Sequence, residues 1–201
     1  GPVLAVLRAK DFEEALAIHR KTGAPELAVA MTLSALSIML ADTESPSDAL
    51  PYFGEAIPLL AEAVGEDSVD CLMVQVSYAD LLRKLGRCAE VPSILKRVDG
   101  SLARYPHIYP QALLLSGQCA RATHPDEAAA IYAKALELCG AADCDPDILA
   151  TLRFELGTLL FDDIEERKRG RQLVDQAYVD LRALDPRSEE HTSELQSHLN
   201  L

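Results

Sequence analysis

The chain reads as an all-α protein, an α-α superhelix of about four to five helix–turn–helix units over residues 1–186. Three observations predict this. First, a pattern at i, i+4 and i+7 recurs: Ala49/Phe53/Ala56, Ala128/Tyr132/Ala135 and Gly170/Val174/Ala177, with a larger-residue version at Val91/Leu95/Val98 and a shorter copy at Ala15/His19. This spacing puts the residues on one helical face. Small side chains there let a neighbouring helix approach, and the larger one between them fills the gap. Second, the anchors at 15, 49, 91, 128 and 170 are spaced by 34, 42, 37 and 42 residues. That is the period of a repeated two-helix unit with insertions at its turns. Third, 49% of the 201 residues are hydrophobic, only 5% are aromatic and none is Trp. Such a composition builds a core of Ala and Leu, as stacked helices require.

Each element can be justified in order. Residues 3–9 are expected to be the tail of a truncated first helix. Asp11 then starts its partner, with Glu13 and Glu14 placed favourably near the N-terminus. Gly23-Ala24-Pro25 ends that helix. Leu27 to Ala41 is an uncharged run; at fifteen residues it is too short for a membrane span and reads as a buried helix. Ser45-Pro46-Ser47-Asp48 is a helix start signal. The helix after it carries Pro51 near its first turn and Pro58 deeper, and Pro58 is expected to kink or break it. Helices are further expected over 69–85, 90–102, 111–122, 125–138, 149–161 and 167–184, separated by the breakers at Gly65, Gly86, Tyr105-Pro106, Thr123-His124 and Gly140–Pro146.

Residues 3–186 resemble tetratricopeptide repeats. The residues that carry the resemblance are the recurring Ala/aromatic/Ala faces, led by Pro125–Leu138, and Leu156-Gly157. The longer units are similar to those of kinesin light chains, whose start and junction read here as Ala49-Leu50-Pro51, Val64-Gly65-Glu66-Asp67 and Cys144-Asp145-Pro146-Asp147. The resemblance implies a right-handed solenoid, with a protein or peptide partner held in the concave groove lined by the first helix of each pair. It also implies a non-enzymatic segment without cofactors. A second reading is the regulatory or sensor arm of a larger bacterial signalling protein, a serine/threonine kinase or transcriptional regulator, fused outside this segment.

Carried onto this sequence, the groove positions of the family are Met31, Ser34 and Ile38; Met73, Val76, Asp80, Arg83 and Lys84; Leu113, Gly117 and Arg121; Thr151, Phe154, Thr158, Phe161 and Asp162. Arg83, Lys84 and Arg121 give the groove a basic middle, which suggests a peptide carrying an acidic residue. The family's chaperone-tail clamp needs Lys and Asn where this chain has Ser34, Val76, Leu113, Phe154, Ile38, Asp80, Gly117 and Thr158, which argues against that function.

Arg187 to His198, RSEEHTSELQSH, resembles the translation of a sequencing-adapter oligonucleotide and breaks the helical pattern. Residues 187–201 are therefore set aside as a non-native tail, and the segment is expected to be a fragment truncated at both ends.

The net charge of −13 disfavours nucleic acid and anionic membranes as partners. The odd count of five cysteines, scattered over helices, favours free thiols in a reducing, cytoplasmic setting. Cys139 and Cys144 flank a loop with Asp143 and Asp145, but neither a second pair nor a nearby His completes a metal-ligand spacing, and a disulfide closing that loop is the alternative to free thiols there. His19 fills the aromatic slot of its repeat, and no Ser/His/Asp arrangement or phosphate loop is found. Glu165 to Arg171 is a dense charged run read as a solvated helix start.

Overall fold

The computed structural model describes the backbone of residues 2–141, 144–161 and 163–184, and the side chains from residue 8 onward. Asp162 and the adapter-like segment lie outside the described residues. The chain divides into two compact units, Gly1–Leu102 and Ala103–Leu201, each described by itself. The all-α expectation holds. Unit 1 contains α1 (Pro2–Thr22), α2 (Glu26–Ala41), α3 (Leu50–Val64), α4 (Val69–Lys84) and α5 (Val91–Leu102); unit 2 contains α6 (Tyr109–Ala120), α7 (Pro125–Ala141), α8 (Pro146–Phe161) and α9 (Arg167–Leu184).

Helices pack against their neighbours in sequence. In unit 1 α1 meets α2, α2 meets α3, α3 meets α4 and α4 meets α5, and α2 also touches α4. In unit 2 α6 meets α7, α7 meets α8 and α8 meets α9, and α6 touches α8. The even-numbered helices are thus the first helices of successive pairs, and the odd-numbered ones are the second.

The recurring face forms the core. Ala49, Phe53, Ala56 and Leu60 are buried just before and along α3; Val91, Leu95, Val98 and Leu102 along α5; Ala128, Tyr132, Ala135 and Cys139 along α7; Gly170, Val174 and Ala177 along α9. All share the i, i+4, i+7 spacing, and the first three extend to i+11. In unit 1 this face serves two neighbours. Ala56 packs with Leu16, Leu33 and Leu36, while Phe53 and Leu60 pack with Ala30, Cys71, Val74 and Leu81. Each large side chain so buried contributes roughly 1.5–3 kcal/mol. The Ala15/His19 copy is weaker: both are half-buried, and His19 Nδ1 lies 3.2 Å from Thr32 Oγ1.

Two expectations for helix continuity are corrected. Residues 2–22 form one helix, not two, because no Gly or Pro interrupts Val3 to Thr22. Pro58 does not break α3, which runs unbroken from Leu50 to Val64. Proline at 58 removes the donor to the carbonyl of Gly54. Both residues lie on the exposed face, so water can satisfy that carbonyl.

Turn chemistry sets the helix ends. Gly86 has φ of 72°, its N–H donates to the Arg83 carbonyl at 2.9 Å, and the Arg87 N–H reaches the Leu82 carbonyl at 2.8 Å. This is a Schellman cap, in which glycine adopts the left-handed conformation without strain. The next first helix in unit 2, α8, starts where Asp145 Oδ1 accepts from the Asp147 N–H at 2.9 Å. Ser68 Oγ does the same for the Cys71 N–H at 3.3 Å ahead of α4.

The free-thiol expectation is overturned for most cysteines. Cys139 and Cys144 form a disulfide with Cα atoms 4.9 Å apart, within the range a bridge requires. Cys88 and Cys119 are also oxidised. Cys71 keeps its thiol, buried at the base of α4, where burial pushes the pKa above the usual thiol range. Proximity in the fold, not sequence spacing, decides which thiols can meet.

Candidate interaction face

In unit 1 the exposed side of the first helices is built from two parallel registers. On α2, Leu27, Met31 and Ile38 fall at i, i+4 and i+11; Ser34 at i+7, expected in the groove, is instead buried, its hydroxyl bonded to the Ala30 carbonyl. On α4, Met73, Ser77, Asp80 and Lys84 follow the same spacing. Each set therefore lies along one helical face. Lys84 Nζ donates to Asp42 Oδ1 at 2.8 Å, which ties the C-terminal end of one stripe to that of the other.

This face is apolar in the middle. Leu27, Met31, Ile38 and Met73 are 42%, 47%, 36% and 49% exposed, whereas the repeat anchors on α3 are fully buried. The chain has three methionines, and two of them stand here. Thioether side chains are polarisable and unbranched, and adapt to varied partners. Leu27 belongs to the stripe although the family positions omit it; its place four residues before Met31 is the signal that finds it.

The polar end is self-neutralised. Arg83 Nε and Nη2 donate to Asp80 Oδ1 at 3.1 and 2.8 Å, and Lys84 pairs with both Asp42 and Asp80. Partial burial works to lower the Lys84 pKa, but the hydrogen bonds and charges of Asp42 and Asp80 outweigh it and hold the pKa above its ordinary value. Val76, also expected in the groove, is 1% exposed and belongs to the core. It is rotated off the Met73–Lys84 stripe, at i+3 rather than i+4 from Met73.

In unit 2 the corresponding residues form a polar clasp. Glu155 accepts from Gln118 Nε2 at 3.0 Å and pairs with Arg121, whose Nη2 also donates to Thr158 Oγ1 at 2.9 Å. These bonds join α6 to α8. Phe154, Thr158 and Phe161 are half-buried, as is Thr151. Arg167 and Arg171 each lie 6.0 Å from the Phe161 ring centroid, within reach of a cation–π contact. Leu113 and Gly117 do not face a groove. Leu113 is 8% exposed, and a Cβ on Gly117 would sit 2.3 Å from the Tyr132 ring of α7. The absent side chain makes room for that ring.

The basic middle read from the sequence therefore changes meaning. Arg83, Lys84 and Arg121 are cations in the folded chain, but each already holds a carboxylate of its own unit. An acidic peptide would have to displace those partners.

Among the described residues no group of three or more His, Cys, Asp or Glu side chains is placed to hold a metal ion. None of their helices is long and apolar enough to cross a membrane. The charged run at the start of α9 is exposed, with Arg169 paired to Glu166 at 3.4 Å.

Comparisons with known proteins bear on this arrangement. The sequence model of the tetratricopeptide repeat matches residues 29–70, which hold most of α2, all of α3 and the start of α4. No curated protein matches the sequence. The fold is similar to the crystal structure of BtubC (BKLC) from P. vanneervenii, with a TM-score of 0.71 and 17% sequence identity over 91% of this chain and 79% of that one. Tetratricopeptide repeats are in general protein-interaction modules and typically non-catalytic. Residues 29–70 thus match a tetratricopeptide repeat, and the recurring buried face and sequential packing of helix pairs within each unit go with a fold similar to that of the solved structure.

Proposed function

We propose that the chain is a protein-interaction scaffold that holds a peptide or protein segment on the exposed face of its first helices. The observation that carries the reading is the contrast within unit 1. Second-helix anchors Phe53, Ala56 and Leu60 are fully buried, while Leu27, Met31, Ile38 and Met73 on the first helices stand in solvent. Clustered exposed apolar side chains of this size mark interaction surfaces more often than they serve stability.

A displayed library of random peptides, panned on the intact chain, tests it. Sequences should be enriched whose binding weakens about ten-fold or more, a loss of at least one strong contact, on the Met31→Glu/Met73→Glu variant. Failure to enrich any sequence, or binding indifferent to that variant, would sink the proposal. Both methionines are exposed, so the variant should retain the wild-type circular dichroism spectrum.

A further inference from the structure

The recurring buried face carries one residue that departs from its pattern. At i+11 that face holds Leu60 in α3 and Leu102 in α5, both fully buried, but Cys139 in α7, 7% exposed. Cys139 is bridged to Cys144, which is half-buried and stands two residues before α8 begins. The bridge therefore joins a core anchor of one second helix to the entry of the next first helix.

Two properties set this bridge apart from a structural staple. The first is how little of the fold hangs on it. It spans a sequence separation of five, and the stabilisation that a cross-link gives falls as the loop it closes shortens. Both of its ends have other supports. α7 packs on α6 and on α8, and Ala128, Tyr132 and Ala135 are buried on the same face as Cys139. Asp145 accepts from the Asp147 N–H through Oδ1 and from the Leu149 N–H through its carbonyl, each at 2.9 Å. A reduced Cys139 also suits its place, since a buried thiol packs as a small apolar group. The second property is access. Cys144 is open to solvent where Cys139 is closed, so thiol exchange has one sulfur to attack.

We infer that the Cys139–Cys144 bridge is a reversible redox switch acting on the start of α8, with the chain folded in both states. A dithiol supplies the electrons. Its thiolate attacks Cys144 Sγ, the bond between the two sulfurs breaks, and Cys139 leaves as a thiolate that takes up a proton. The second thiol of the reductant gives up its proton and attacks the mixed disulfide, releasing Cys144, which is protonated in turn. Two electrons pass to the protein, and the reductant is left as a cyclic disulfide. Oxidised glutathione runs the exchange backward and leaves as two thiols. With the bridge open, Asp145 loses its covalent tie to α7, and the first turn of α8 is held by its cap alone. α8 is a first helix and carries Thr151 and Phe154, so the redox state reaches the helix expected to line the groove. The inference stands apart from the interaction-scaffold reading, and its test needs no partner.

The full chain is equilibrated with dithiothreitol and then with oxidised glutathione. After each step, thiols are blocked in an unfolded sample and the chain is cut with trypsin. Cleavage after Lys134 and Arg153 releases residues 135–153 as one peptide with both sulfurs, so bridge and dithiol separate by mass. The two forms should interconvert fully. Circular dichroism should stay unchanged, and the buried Cys71 should stay closed to alkylation of the folded chain. Hydrogen exchange at the Leu149 amide should be roughly ten-fold faster in the reduced chain, with the Tyr132 amide of α7 unaffected. In Cys139→Ser/Cys144→Ser, Leu149 should exchange fast under both conditions, which separates this bridge from the other oxidised cysteines, Cys88 and Cys119. A bridge that yields to dithiothreitol only on unfolding, or that does not re-form, overturns the switch. So does a reduced chain that loses helix or opens Cys71. Equal exchange at Leu149 in the two states, or a difference that survives in the double variant, overturns its action on α8.

Discussion

The contact between α8 and α9 gives the sharpest test of how this chain packs. Gly157 and Gly170 face each other there. A Cβ on Gly170 would lie 2.7 Å from the Gly157 carbonyl oxygen and 2.9 Å from the Phe161 nitrogen; one on Gly157 would lie 2.8 Å from the Gly170 oxygen and from Val174 Cγ2. Normal carbon contacts are about 3.5–4.0 Å, so the two helices must separate by the better part of an ångström. The obstructing atoms are mostly backbone and cannot swing aside. Overpacking of this kind costs roughly 1–3 kcal/mol, and the intrinsic preference of a helix for Ala over Gly returns up to about 1 kcal/mol. Gly170→Ala should therefore destabilise the chain by about 1–2 kcal/mol, and Gly170→Val by more. Gly100→Ala in α5 is the matched control, since nothing lies within 4 Å of its added Cβ; it should stabilise by roughly 0.5–1 kcal/mol. Urea unfolding followed by circular dichroism at fixed temperature reads both. The double variant Gly157→Ala/Gly170→Ala should cost less than the sum of the singles, because the first separation relieves the second contact. If Gly170→Ala matched Gly100→Ala in sign, the close crossing of α8 and α9 would be refuted.

Further outcomes follow from other sites. Gly117→Ala should destabilise by forcing the Tyr132 ring to move, and Tyr132→Leu should recover part of the loss in the double variant; strictly additive unfolding energies would contradict the contact. Pro58→Ala should leave α3 intact and raise stability, by less than the ~3 kcal/mol usually charged to an internal proline because Pro58 also restricts the unfolded chain; a lower urea midpoint would refute this. Cys71 and Lys84 both hold their protons more tightly in the folded state. Their stability contributions are fully present at neutral pH and are lost as pH rises through the ordinary thiol and lysine ranges and beyond. Cys71→Ala should flatten the first part of that alkaline decline, and an unchanged pH profile would count against the buried thiol. Cys139→Ser/Cys144→Ser opens the short loop closed by the Cys139–Cys144 bridge and should lower the stability of the oxidised chain by up to about 2 kcal/mol; an unchanged urea midpoint would contradict the bridge.

Much of the fold was legible because its core repeats. Ala128, Tyr132 and Ala135 announce a face at i, i+4 and i+7, and the same spacing at 49, 91 and 170 shows that the face recurs. Periodicity is a local property, and local geometry fixes which residues share a face. Helix ends were equally local: Gly86 requires a left-handed backbone, and Ser68 and Asp145 cap by short-range hydrogen bonds. The candidate face was only partly legible. Met31, Ile38 and Met73 are exposed, whereas Ser34, Val76, Leu113 and Gly117, expected in the groove with them, are buried. A rotation of sixty degrees about a helix axis separates those outcomes, and repeat numbering does not resolve it.

The sequence by itself determined the class of structure, the repeat anchors and the helix punctuation. Only the tertiary structure decided which charges remain available. Arg83 with Asp80 is a pair within one helix turn, but Lys84 finds Asp42 forty-two residues away, and Arg121 finds Glu155 across α6 and α8. It likewise decided that Cys139 meets Cys144 and that Gly157 meets Gly170. Each of these depends on how two elements come together in space. A linear pattern records what a side chain is and which way its own helix turns it, while the energy of a charge or a thiol depends on what the rest of the chain brings within a few ångströms.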